Sequence, residues 1–362
     1  MKPANYLLPL AFICFCASSS GASSNDAGWA ELNARARSAE ASGSWTCASA
    51  FYSQALQSAQ KCGAAQNIIR LISIKLASSY VQQNNLVAAE PLFTQLTETS
   101  LKGWDGEALV WFDDLADAYA SVQAESLKEP GLKHALAIKE KLARAGDGEV
   151  IRVLNSLFLY YHLHKRDADA EAVLEKEIAL LEKHDRSELG SAMIALAGVE
   201  RNLKHFRKSL YWYNKVFSMW EIAMVNRGEK TASTAREIAL IHLKLNEQQD
   251  AERWIEKAII IRKAGEQVNS IEYCRDLYVY GRILEAKREF AKAHSAYAAA
   301  LALGRALFGN TSTELIPLAE GMSRVLTKQG DSLSARKFQD IANLLSHAIT
   351  SSSVQVIAQD AL

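Results

Sequence analysis

The sequence predicts an all-α solenoid of about eight helical hairpins, on three observations. The 362-residue chain holds only five prolines, and Pro3 and Pro9 stand at its very start, so long stretches lack the residue that most disrupts helices. No segment alternates apolar and polar residues for long; apolar residues recur at spacings of three and four, the period of a helix face. A small residue also returns at a nearly fixed distance: Ala48, Ala89, Ala135, Ala170, Ser209, Ala251, Ala293 and Ala335, with separations of 41, 46, 35, 39, 42, 42 and 42. A recurrence of that length marks a stacked array.

The residues around each of these anchors repeat in order along the chain. Four positions on stands a large residue in Tyr52, Phe93, Leu174, Tyr213, Ile255 and Tyr297, with Lys139 and Gln339 as exceptions. Seven on is an apolar one in Ala55, Leu96, Leu142, Val216, Ala258, Ala300 and Ala342, with Glu177 as the exception. Thirteen and twelve before the anchor come Leu76-Ala77, Leu196-Ala197, Ile238-Ala239, Tyr280-Gly281 and Met322-Ser323. Nine before stand Tyr80, Tyr161, Leu284 and Leu326, and five before stand Gly43, Asn84, Asn246 and Gly330, where a first helix must stop and turn. In the third unit the same signature, Leu115-Ala116 with Tyr119, is displaced by seven residues, and the extra residues around Glu125 to Pro130 are expected to form a long turn. Small residues let two antiparallel helices approach, and large ones fill the gap opposite. A single hairpin leaves one face bare, so its neighbours must stack on it.

The phrases Ala89-Glu90-Pro91-Leu92-Phe93, Ala135 to Leu142 and Ala258-Ile259-Ile260-Ile261-Arg262-Lys263 resemble the tetratricopeptide repeat (TPR), in the 42-residue spacing of kinesin light chains and many bacterial proteins. Ala300 to Gly330, with a turn at Gly309-Asn310 and a new helix near Glu314, fits the same pattern, and the resemblance runs from about residue 27 to 345. It implies a right-handed superhelix lined inside by the first helix of each pair, and a protein that binds proteins. The sequence departs from that pattern at Arg35 and Ala39 in the first unit and at Phe158 and Asp167 in the fourth. Pro91 should cost its helix a hydrogen bond and kink it.

Residues 1–22 read as a secretory signal: Lys2, an apolar stretch from Tyr6 to Ala17, then Ser20-Gly21-Ala22. The apolar run is short of the ~20 residues of a membrane span. Ile13 and Phe15, ahead of Cys14 and Cys16, are too large for a lipoprotein site. The expectation is an exported protein, in the periplasm or cell envelope or secreted, with no stable membrane insertion after cleavage. Residues 23–350 then form the solenoid and 351–362 a C-terminal tail or cap. Cys47, Cys62 and Cys274 remain, an odd number whose first two lie at opposite ends of one expected helix; free thiols are expected.

Hydrophobic residues at 49% and charged residues at 23% exclude a disordered chain. Lys plus Arg equals Asp plus Glu at 41 each, which argues against a coat for nucleic acid or an anionic membrane. No phosphate loop, dinucleotide fingerprint, nucleophile elbow or zinc-protease helix occurs, so no enzyme, cofactor or metal is expected. His162 and His164 fall on different sides of a helix, and Asp113 and Asp114 are adjacent without visible partners. Tyr211-Trp212-Tyr213 suggests a base-stacking platform, but Tyr213 is the repeat's packing residue and the stripe reads as core. Asn310-Thr311-Ser312 is a glycosylation sequon, meaningful in a eukaryotic secretory pathway.

Positions 18, 15, 11, 8 and 7 before each anchor share one arc opposite the packing residues and are the expected groove. They supply Arg152, Asn155 and His162, then Arg201 and Asn202, then Ser233, Arg236 and Lys244. Arg275, Tyr278, Arg282 and Glu285 follow, then Glu320, Arg324 and Lys328; the displaced third unit supplies Asp113 and Asp117. Arginine in a concave site pairs with carboxylates, so the expected ligand is an acidic extended peptide or chain terminus, with Tyr278 beside it. Against this stands a solvated face neutralised by neighbours such as Glu285 and Glu320. The functional expectation is an exported scaffold or adaptor binding a peptide or protein. The alternative is a structural component of an envelope or secretion assembly that uses the solenoid to oligomerise.

Overall fold

A computed structural model describes residues 28–102, 104, 106–142, 148–183, 188–222 and 228–347. The expected leader, with Cys14 and Cys16, and the tail lie outside them. Among the described residues there are sixteen α-helices, one 3-10 turn and no strand. The chain divides at His164/Lys165 into two compact units.

The first unit holds α1 (Gly28–Ala41), α2 (Trp45–Lys61), α3 (Gln66–Gln82), α4 (Leu86–Glu98), α5 (Gly106–Ala120), α6 (Glu125–Leu142) and α7 (Gly148–Leu163). Helices pair as hairpins α1–α2, α3–α4 and α5–α6, and α3 also packs on α5 and α4 on α6. The second unit holds α8 (Asp167–Lys183), α9 (Leu189–Asn202), α10 (Phe206–Ile222), α11 (Gly228–Lys244), α12 (Gln248–Ala264), α13 (Ile271–Ala286), α14 (Phe290–Phe308), α15 (Ile316–Gln329) and α16 (Ser332–His347), with the 3-10 turn Thr313–Leu315 before α15. Its hairpins are α9–α10, α11–α12, α13–α14 and α15–α16; the first helices α11, α13 and α15 stand side by side in one row. Each unit is thus a stack of helical hairpins, the all-α solenoid architecture.

The repeat works as packing. All eight anchors are buried. So are Tyr52, Tyr213, Ile255 and Tyr297 four residues later, and the pairs Leu76-Ala77, Leu115-Ala116, Leu196-Ala197, Ile238-Ala239 and Met322-Ser323. Gly281 and Gly321 show why small residues are needed: a Cβ on either would stand 2.7 Å or 2.8 Å from the ring of Tyr297. The turn five residues before the anchor is left-handed at Gly43, Asn84, Asn246 and Gly330. It is equally so at Lys165, Lys204 and Arg288, with φ of 55°, 64° and 63°. Composition concealed these three because lysine and arginine are not turn residues; the hydrogen bond that closes the turn imposes the conformation. That bond recurs from Ser44 N to Ala39 O, Asn85 N to Tyr80 O, His205 N to Glu200 O, Glu247 N to His242 O, Glu289 N to Leu284 O and Asp331 N to Leu326 O, at 2.8–3.0 Å.

The long turn expected at Glu125 to Pro130 is corrected: α6 begins at Glu125 and Pro130 lies inside it. Seven residues make two helical turns, so the lengthened helix keeps its buried face in register. Glu125 sits in its first turn, where a negative charge suits the helix dipole. Gly131 then lets α6 meet the end of α5, since a Cβ there would come 2.7 Å from the carbonyl oxygen of Tyr119. Lys139, the exception to the large-residue rule, is 3% exposed; its ammonium lies 2.7 Å from Asp113, 2.9 Å from Asp117 and 3.5 Å from Glu149. Burial favours the neutral amine, but Asp113 and Asp117 hold Lys139 above the usual lysine range. Among the described residues Cys47, Cys62 and Cys274 form no disulfide, and Cys62 lies just past the end of α2.

A candidate ligand-binding groove

In the second unit the row of first helices opens onto a cavity of about 1020 Å³. Its walls come from three successive hairpins: Leu243 of α11, Tyr278, Arg282 and Glu285 of α13, and Arg324 and Lys328 of α15. Arg288, in the turn after α13, and Phe290 of α14 complete it. Tyr278, Arg282, Arg324 and Lys328 are sequence-predicted groove residues, and the stacking brings them to one place. Arg288 escaped the sequence reading because it lies off the first-helix arc, in a left-handed turn. Its only sequence signal is its position five residues before Ala293.

Four cations face one carboxylate in this cavity. Glu285 is already engaged: it accepts from Arg324 Nε at 3.0 Å and Nη2 at 3.2 Å, and from the Tyr297 hydroxyl at 2.9 Å. Burial and the adjacent Glu285 carboxylate push the Tyr297 hydroxyl above the ordinary tyrosine range. The guanidinium of Arg282 lies 5.9 Å from the ring centre of Tyr278, a cation–π contact. Among the described residues, Arg282, Arg288 and Lys328 face no carboxylate partner within ion-pair distance. Gathered at one cavity, three such charges attract an anion more strongly than any one of them alone.

The first unit repeats the tyrosine–glutamate arrangement. Tyr52 donates to Glu40 at 2.6 Å, and Lys75 of the next first helix lies 3.1 Å from the same carboxylate. In both hairpins the glutamate stands eight residues before its anchor and the tyrosine four after, a linkage legible in the sequence only once the register is known.

The other predicted groove residues are placed differently. Arg152 pairs with Glu149, Arg201 with Glu237 and Arg275 with Glu272. Asn202 donates to Asp167 at 3.3 Å. Asn155 is half-buried on α7, and Lys244 is exposed at the end of α11. Arg236 departs from the expectation of an open groove arginine: it is buried, with Nη1 3.0 Å from Asp276 and 2.7 Å from Glu272. Asp276 also accepts from the fully buried Arg262, which donates to Ser233 at 2.8 Å. Burial opposes the charge on Arg236, but Asp276 and Glu272 keep it above the usual arginine range. A charge reversal at Arg236 would therefore strike the core.

Folding also gathers acidic groups and histidines that spacing left apart. Glu171, Glu200 and His205 form one cluster, and His242, Glu247 and Asp250 another. The protein's own cations already serve both: Lys208 lies 2.9 Å from Glu171 and 3.2 Å from Glu200, Arg207 pairs with Glu247, and Arg253 lies 3.1 Å from Asp250. The two histidines contact Glu200 at 2.7 Å and Glu247 at 2.6 Å across equivalent hairpin turns. Tyr213 is core, Tyr211 is exposed and Trp212 packs against the core edge, so the aromatic stripe is divided between core and surface.

No protein-family profile matches this sequence, and no curated protein matches it. Solved structures do. BtubC (BKLC) from P. vanneervenii is similar with a TM-score of 0.55 at 16% identity, over 63% of this chain and 93% of that one. A signal transduction ATPase with numerous domains and a tetratricopeptide repeat sensor, from Pyrococcus horikoshii, is similar over 94% of this chain with a TM-score of 0.52 at 14% identity. The fold is TPR-like. This chain spans 50% of the length of that ATPase, so the likeness concerns the fold alone. No helix among the described residues is long and apolar enough to cross a membrane.

Proposed function

We propose that this TPR-like protein is an exported scaffold or adaptor that holds an acidic, extended segment of a partner protein in the groove of its second unit. One observation carries the reading: groove positions of three successive hairpins converge on a single cavity with four cations against one engaged carboxylate. Arg282 and Arg288 offer forked donors that match carboxylates, Lys328 adds a third charge, and Tyr278 gives an apolar surface beside them. Export rests on the apolar leader of residues 6–17.

The test is titration of the full chain with a fluorescent ten-residue Glu/Asp-rich peptide and its Lys/Arg-rich counterpart. The acidic peptide is expected to bind, and to weaken as salt rises above ~50 mM. The triple variant Arg282→Glu/Arg288→Glu/Lys328→Glu should lose at least about tenfold in affinity while keeping its helical circular dichroism. Equal binding of both peptides, or an unchanged affinity in the variant, would remove the groove from the reading. Capture from envelope and secreted extracts with wild type and variant in parallel then identifies the partner.

A further inference from the structure

A second cavity in the second unit, about 380 Å³, lies between α9, α10 and α11, apart from the cationic groove. Its apolar surfaces are Ile194, Trp220 and the ring of Tyr213. Gly190 makes room for the indole: a Cβ there would meet Trp220 Nε1 at 3.0 Å.

Three features separate this cavity from ordinary inter-helix space. Tyr213 is 3% exposed, yet its hydroxyl has no hydrogen-bond partner among the described residues, whereas the equivalent Tyr52 and Tyr297 donate to Glu40 and Glu285. The cause is one residue: the position eight before the anchor is Arg201 here, and Arg201 is paired with Glu237. Second, Glu229 and Lys230 stand together at the cavity mouth, and neither has an ion-pair partner among the described residues; Lys230 Nζ lies 6.0 Å from the Trp220 ring. Third, the remaining charges are spent, Arg236 on Asp276 and Glu272, and Glu237 on Arg201. Among the described residues the two uncommitted charges are thus one anion and one cation, over an interior walled by Trp220, Ile194 and Tyr213, with Ser191, Ser233 and Thr234 also in its lining.

We infer that this cavity is a binding site for a small zwitterion with an aromatic body, an aromatic amino acid or a dipeptide containing one. The ring lies against Trp220 and Ile194, the ammonium faces Glu229, the carboxylate faces Lys230, and a ligand oxygen accepts from the Tyr213 hydroxyl. The volume suits one or two residues, at the small end of ordinary ligand sites.

Calorimetric titration of the full chain with L-phenylalanine, phenylalanyl-glycine, N-acetyl-phenylalaninamide and 3-phenylpropionate tests it. Saturable binding of the free amino acid or of the dipeptide is expected, and which of the two binds tells the source. The uncharged amide and the amine-free acid should each bind at least about tenfold more weakly. Ile194→Trp, which fills the cavity, should abolish binding, and Lys230→Glu, on the exposed rim, should weaken it without loss of helical signal. The triple groove variant described above should bind as wild type does, so failure here and failure of the acidic-peptide reading are separate results. No saturable binding of either zwitterion up to ~10 mM, a binding free energy weaker than about 3 kcal/mol, overturns the inference. So does equal binding of the uncharged amide.

Discussion

Asp276→Ala should strongly destabilise the second unit. The carboxylate is fully buried among three helices, accepting from Arg236 of α11 and Arg262 of α12. Its removal leaves two guanidinium groups, themselves 9% and 0% exposed, sharing Glu272, with Glu237 a further 4.0 Å neighbour of Arg236. Breaking a buried ion pair by deleting one partner costs about 3–5 kcal/mol, because the survivor stays buried and uncompensated. Glu272 sits 2.7 Å from Arg236 and 3.8 Å from Arg262, so it takes up part of the imbalance and sets the expectation at the lower end, about 3 kcal/mol. For a unit of this size that is a fall of roughly 10 °C in melting temperature. Urea and thermal unfolding followed by circular dichroism measure it. Arg262→Met combined with Asp276→Leu removes the pair together and should recover most of the loss, since apolar replacement of a buried pair is close to neutral. A loss under about 1 kcal/mol for Asp276→Ala, the scale of a surface pair, would refute the argument that this network is a desolvated one.

Two further outcomes follow from the same packing and charges. Gly281→Ala and Gly321→Ala should each destabilise by about 1–3 kcal/mol through overpacking, because the new methyl enters the Tyr297 ring from one side or the other; Tyr297→Leu should relieve both, and denaturant midpoints give the comparison. Acid should weaken the second unit between about pH 4.5 and pH 2. Contact with Lys287 and Lys292 lowers Glu289 from 4.5 to about 2, and His242 and Arg207 hold Glu247 below its ordinary value. The folded state therefore binds fewer protons than the unfolded one in that window. Stability from these groups is complete above the unfolded carboxylate value and is lost as pH falls through the folded one. A melting temperature flat across that window contradicts it.

The hairpin was legible in the sequence because it is a matter of spacing. Small anchors, large residues four on and apolar pairs before the turn are local requirements of two helices in contact, so Ala251, Ile255 and Ile238-Ala239 declare themselves without coordinates. The array of such hairpins follows, since each leaves a face its neighbour must cover. What spacing cannot give is the state of a charge after stacking. Arg236 and Arg282 look alike in the sequence, both at groove positions of a first helix, yet the first is buried against Asp276, 40 residues away, while the second lines the open cavity. Lys139 likewise looks like a defect in the pattern until Asp113, Asp117 and Glu149 surround it. The two cavities are tertiary for the same reason: each is the gap between helices of successive hairpins, and its chemistry is set by which side chains the stacking pairs off and which it leaves over.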